Sequence, residues 1–230
     1  MDFMKILRSL EELVFEVMSW LVFYPLVLFR TLFTPQRMLD HAHAELRKPE
    51  EQQFDDALSP PLFLILSLLI FHLIRLAVAP MAPTPLLETP VKALRSHENA
   101  VIFQSVLYGV FPLLFSIERT LTARQPMTRK TLRGHVYPEC FPAAVYALVV
   151  GLALMVLSGW PALRPHAAVL FVGISSWYVA TETRWRRRNG YGRTRAFASA
   201  FGCFVLAWMV VVGISLILAL AAGQTLDLSS

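Results

Sequence analysis

Charged side chains are scarce in this chain: Asp, Glu, Lys and Arg make up 16% of its 230 residues, against about a quarter in soluble domains. So little charge cannot cover a surface that faces water all round. Cysteine is rarer still. Cys140 and Cys203 are the only two, with the spacing of neither a metal site nor a disulfide framework, and both are expected to remain reduced thiols. A phosphate-cradling glycine loop, a helical His-Glu-x-x-His site and the paired intramembrane carboxylates of an aspartyl protease are also missing. His41 and His43 point to different helix faces and make no metal site alone. No metal, cofactor or catalytic residue is therefore expected. Nucleic acid is not expected as a partner either, because aromatic stacking platforms and a recognisable binding motif are lacking.

Apolar residues are abundant, at 56% of the chain. Crossing about 30 Å of hydrocarbon takes about 20 predominantly apolar residues at 1.5 Å each. Five stretches qualify: Pro60 to about Ala79, Asn99 to Ile117, Cys140 to Leu157, His166 to Thr181, and Ala196 to Ala222. Lys plus Arg in the six segments around them number 6, 2, 5, 1, 6 and 0 from N- to C-terminus. Because Lys and Arg are retained on the cytoplasmic side, this alternation puts the N-terminus in the cytoplasm and the C-terminal tail outside. The expected fold is an all-α integral membrane protein with five transmembrane helices, in an inner bacterial membrane. Residues 1–59 form a cytoplasmic and interfacial helical region, and residues 60–230 the membrane domain.

Ahead of the first span, Val17 to Phe29 is apolar but short, and Pro25 interrupts it. A stretch of that length more often lies in the interface than crosses, so residues 3–33 are expected to form an amphipathic helix along the cytoplasmic leaflet. No cleavable signal peptide is visible, and the N-terminal segment is expected to be retained. Thr34 followed by Pro35 reads as a helix start, as do Pro49 with Glu50 and Glu51, giving a small cytoplasmic collar. Pro80, Pro83, Pro85 and Pro90 predict an extended outer loop, with Thr89 and Pro90 starting the helix beyond it.

Three groups of residues stand out. His72 and Arg75 lie three apart inside the first span, hence on one helix face, with Gln104 of the second span as a polar partner. Arg184, Arg186, Arg187 and Arg188 surround Trp185 at the cytoplasmic surface, where anionic lipid headgroups are the expected ligand. Glu118, Arg119 and Glu182 lie at the cytoplasmic ends of two spans, as a polar cluster or as ordinary interfacial charge. Ser175 in Gly173-Ile174-Ser175-Ser176 has the form of a nucleophile motif, but small residues packing helices together explain it better. On the third span Ala143, Ala147 and Gly151 form a small-residue stripe that lets another helix approach.

The stretch Leu32-Phe33-Thr34-Pro35-Gln36-Arg37, the polar run Thr131-Leu132-Arg133-Gly134-His135-Val136-Tyr137 through Phe141-Pro142, and Arg193-Thr194-Arg195-Ala196 before the last span are similar to the Yip (Ypt/Rab-interacting protein) superfamily and its bacterial relatives. As topology the resemblance covers residues 32–222. It implies a non-enzymatic membrane protein that recruits or organises partners, and no catalytic residue. The expected function is thus a membrane adaptor or assembly subunit that docks a partner protein, a second copy or lipid. The alternative is a transporter or lipid-translocating permease, which needs a polar pathway near the midplane.

Overall fold

The computed structural model describes residues 3–49, 52–54, 58–82 and 97–227, and among the described residues every regular element is helical, with no strand. Helix α1 (Phe3–Phe33) runs unbroken through Pro25, and α2 (Pro35–Glu45) follows after Thr34. Then come α3 (Pro60–Val78), α4 (His97–Thr122), α5 (Arg129–Gly159), α6 (Arg164–Arg188) and α7 (Arg193–Asp227). Each of the five stretches marked out by hydropathy falls within one of α3 to α7. The collar helix expected at Pro49 and the proline-rich loop lie largely outside the described residues.

Four of these helices are long and apolar enough to cross a membrane: Leu7–Phe33, Pro60–Met81, Arg129–Gly159 and Arg193–Ile217. They mark a membrane protein. The first lies in α1, which spans the expected residues 3–33 and is by length and composition also able to cross. Because α1 continues through Pro25, its apolar stretch extends to 27 residues. Helix α6 is absent from the four, since Arg164, His166, Ser175, Ser176 and Glu182 dilute its apolar content. The side chains of α4 through Ile102 lie outside the described residues.

Helix α5 is the centre of the bundle. About two thirds of its most apolar stretch (67%) is buried inside the protein, against 6% for α1 and 11% for α7. It packs on α3, α4 and α6, while α7 closes the groove between α4 and α6. The small-residue stripe is what admits α3: Ala143, Ala147 and Gly151 are all buried, and a Cβ on Gly151 would come within 2.9 Å of the Phe71 ring. Apolar side chains of α1 such as Phe15, Leu21 and Val22 stay largely exposed, as a lipid-facing helix requires. Only its C-terminal third is tied down, by the Tyr24 Oη to Ser67 Oγ contact at 3.0 Å and by Trp177 Nε1 donating to the Leu32 carbonyl at 3.1 Å.

Between the two ends of the bundle lies a layer of aromatic rings. Tyr146 of α5 stacks on Tyr178 of α6 with centroids 4.9 Å apart. Phe111 and Phe115 of α4 close on Tyr146 and Tyr178 at 5.2 and 5.4 Å, and Trp208 of α7 meets Phe111 edge-on at 6.0 Å. Pairs of this geometry contribute about 0.5–1.5 kcal/mol each beyond the area they bury. The polar atoms in the layer are partly paired, Trp208 Nε1 donating to Tyr146 Oη at 2.9 Å.

Helix α2 sits as a collar at one end, against α5 and α6. Thr34 takes the N-cap position with Pro35 at the first helical residue, yet its hydroxyl donates back to the Arg30 carbonyl at 2.8 Å instead of capping α2. That bond fixes the corner between α1 and α2. At the other end of α2, Glu45 is buried, accepts the Phe54 amide at 3.0 Å and pairs with Lys48 at 2.6 Å. Burial opposes the Glu45 charge, but Lys48 and the Phe54 amide outweigh it and hold the carboxyl below its ordinary range. Phe54 itself has φ 61°, a left-handed conformation uncommon outside glycine, and its ring is buried near Tyr137.

Candidate functional site

At the collar end, three helices deliver charge to one buried place and a fourth adds a hydroxyl. Helix α4 ends with Glu118 and Arg119, α5 contributes Glu139 just before its apolar run, α6 contributes Glu182 and Arg186, and α7 supplies Ser199. Glu182 and Arg186 stand four residues apart and so share a helix face. Adjacent residues on a helix diverge, which sends Arg119 towards α5 and α6 while Glu118 reaches the Arg186–Ser199 side. Helix α6 then stops cleanly: Gly190, at φ +90°, turns the chain, and Asn189 Nδ2 and the Tyr191 amide take the Trp185 and Arg186 carbonyls.

Two guanidiniums organise the cluster. Arg119 Nη2 donates to Glu182 Oε2 at 3.0 Å, and its Nη1 stands 2.5 Å from Glu139 Oε1. Arg186 Nη1 donates to the same Glu182 Oε2 at 2.8 Å, its Nη2 to Glu118 Oε2 at 3.0 Å and its Nε to Ser199 Oγ at 3.0 Å. Ser199 in turn donates to Glu118 Oε1 at 2.7 Å. Glu139 and Glu182 are wholly buried and Arg186 is 1% exposed. Below the charges, the Arg186 guanidinium covers the Phe115 ring at 5.1 Å, which joins the cluster to the aromatic layer.

Beside the cluster a cavity of about 360 Å³ is lined by His43, Arg119, His135, Trp185, Arg186 and Tyr191, among others. His43 stacks flat on Trp185 at 5.2 Å, and Arg119 lies over the same indole at 5.6 Å. Burial, and then the nearby Arg119 charge, push His43 down to about 4. It is a neutral imidazole at neutral pH. His135 meets Gln125 Oε1 through Nε2 at 3.1 Å.

No family model, curated protein or solved structure matches the chain.

The structure brings together one of the three residue groups marked in the sequence and divides a second, the arginine run. Glu118, Arg119 and Glu182 meet, as a buried network and not as ordinary interfacial charge. Of the four arginines assigned to lipid headgroups, Arg184, Arg187 and Arg188 are exposed, with Arg188 paired to Asp40 at 3.0 Å. Arg186 is a correction: its side chain turns inward and is consumed by Glu182, Glu118 and Ser199. His72 is buried on α3, Arg75 is half-buried one turn on, and both have partners in the fold. Gln104 precedes Arg119 by fifteen residues on α4, or roughly 22 Å of helix, so this group stands far from the cluster. Ser175 contacts the Tyr146 phenol at 3.5 Å, a packing contact. Glu139 was missed altogether, although a carboxylate wedged between Pro138 and Cys140, at the edge of an apolar run, was a signal. No group of three or more potential metal ligands occurs among the described residues.

Proposed function

We propose that the chain is a non-enzymatic integral membrane adaptor or assembly subunit, with its collar and basic loops in the cytoplasm and its C-terminal tail outside. The observation that carries this reading is the rigid seating of α2. Gln36 Nε2 donates to the Thr181 carbonyl at 2.9 Å, His43 stacks on Trp185, and Asp40 pairs with Arg188, so the collar is held against α6 from three sides. Its outward face presents Arg37, Ala44 and Arg47, all exposed, and Arg184 and Arg187 are exposed nearby on α6. A fixed, predominantly basic platform beside a membrane suits an acidic protein surface, and anionic headgroups complete its rim.

Against a permease stands the aromatic layer, which fills the middle of the bundle where a transport pathway needs polar groups or broken helices. Native mass spectrometry of the intact chain in mild detergent tests the choice, alongside the Arg37→Glu, Arg47→Glu variant. A protein partner at fixed stoichiometry, lost in the variant, is expected. A homo-oligomer holding only lipid in both samples overturns the adaptor and favours lipid handling.

A further inference from the structure

The buried cluster contains more acid than base. Among the described residues Glu118, Glu139 and Glu182 face two cations, Arg119 and Arg186, so full ionisation would leave one net negative charge in the cluster, where Glu118 is 23% exposed but Glu139 and Glu182 are wholly buried. An uncompensated charge on either buried carboxyl is strongly unfavourable. The surplus can be located. Glu182 Oε2 accepts from both guanidiniums, and Glu118 accepts from Arg186, Ser199 and Thr122. Glu139 has only the close approach of Arg119 Nη1, which is not aligned as a hydrogen bond, and neither of its oxygens accepts from any donor; Glu182 Oε1 is equally bare. Yet the two carboxyls are close neighbours, because both sit on the one Arg119 guanidinium, Glu139 at Nη1 and Glu182 at Nη2. Two carboxylates only repel, whereas an acid and a carboxylate share a hydrogen bond.

From the charge imbalance, the bare oxygens and the adjoining cavity, we propose that Glu139 and Glu182 form a proton-binding site, in which one exchangeable proton resides on Glu139 and passes to and from water at the collar end. Uptake adds a proton to the Glu139 carboxylate and release returns it to cavity water; no other bond changes. The cavity ends on Arg119 and Arg186, the two side chains that stand between it and the buried carboxyls, and it is also lined by His43 of α2 and His135 of α5, so the proton passes as those two side chains part. The other ionisable neighbours are Glu118 on α4, Cys140 on α5, Tyr178 on α6 and Cys203 on α7. Tyr178 lies one turn before Glu182, wholly buried with its hydroxyl unpartnered, and the aromatic layer stands behind it. The site therefore opens to one side only. Loss of the proton leaves a net negative charge at the joint of α4, α5 and α6 and loosens the seat of the collar. The proposal is independent of what the collar docks.

Infrared difference spectroscopy on the full chain in lipid nanodiscs tests it. The expected result at neutral pH is a carbonyl stretch of a protonated, buried carboxyl that shifts on exchange into D₂O, fades on alkalinisation and is missing from Glu139→Gln. Glu139→Gln should also keep the wild-type melting temperature, because the amide replaces a neutral acid, while Glu139→Asp should retain the band. Absence of the band from the wild type, its persistence in Glu139→Gln, or failure of Glu139→Gln to fold overturns the proposal. So does a melting temperature that depends on sodium or potassium in place of the band, which would put a metal cation between the carboxyls. Proton flux across proteoliposomes under an imposed gradient overturns the one-sided access.

Discussion

Arg186 Nη1 meets Glu182 Oε2 at 2.8 Å across a single turn of α6, while Arg187 and Arg188, its immediate neighbours in an arginine run, face outward. One charge of the run belongs to the interior and the others to the surface. Truncating one member of a buried, hydrogen-bonded charge network leaves its partners unpaired, which costs about 3–5 kcal/mol. Arg186→Ala should therefore lower unfolding free energy by about that amount, whereas Arg187→Ala should stay within about 0.5 kcal/mol of the wild type. Denaturant titration of the purified chain, followed by tryptophan fluorescence, gives both values. Equal effects of the two substitutions would contradict the inward placement.

The approach of α3 to α5 depends on the missing Cβ at position 151. Gly151→Ala places a methyl group 2.9 Å from the Phe71 ring, and overpacking of this kind costs about 1–3 kcal/mol. Phe71→Leu in the same chain should restore part of the loss, so the two effects should be non-additive in a double-mutant cycle. Strict additivity would mean that the ring is not what the methyl meets.

His43 imposes a pH dependence with a definite sign. Its pKa falls from the ordinary 6.5 to about 4 in the folded chain, so between those values the unfolded state binds more protons and stability falls as the pH is lowered. From about one pH unit above 6.5 the imidazole is neutral in both states and contributes no slope. His43→Phe, which keeps a ring on Trp185, should have a shallower decline in melting temperature between pH 6.5 and 4 than the wild type. Parallel profiles would show that His43 does not titrate in this window.

Glu45 is the latch at the far end of the collar. Glu45→Ala removes both the Lys48 pair and the acceptor of the Phe54 amide, leaving a buried donor unsatisfied at a cost of about 1–3 kcal/mol. The loss should appear locally, as faster trypsin cleavage after Arg47 with the rest of the bundle still protected. Unchanged cleavage rates would rule out a latching role.

Much of the architecture was legible because hydropathy and helix length are local properties. The apolar runs locate α3 to α7, although α5 begins eleven residues before its run and α6 ends seven after its own, and the Ala143, Ala147, Gly151 stripe announces a close helix contact. The helix expected over residues 3–33 is α1 itself, Pro25 included, a long helix absorbing the one bond that a proline removes; that its apolar stretch extends to 27 residues was not read from the shorter run between Glu16 and Arg30. The site was half visible. Glu118, Arg119 and Glu182 stood out as charges at helix ends, but their conversion into a network depended on which neighbours fold against them. Arg186 was hidden by its company, because composition in a run of arginines suggests a surface while the four-residue spacing from Glu182 points inward. Glu139 belongs to a helix whose burial on every side is a tertiary fact, and no single segment of sequence discloses it.

The ring layer of Phe111, Phe115, Tyr146, Tyr178 and Trp208 has a mechanical consequence. Close-packed interiors have low compressibility and pass strain to their neighbours. Phe111 of α4 touches Tyr146 of α5, Tyr178 of α6 and Trp208 of α7 at once, so a displacement of any one of these helices at this level is felt by the other three.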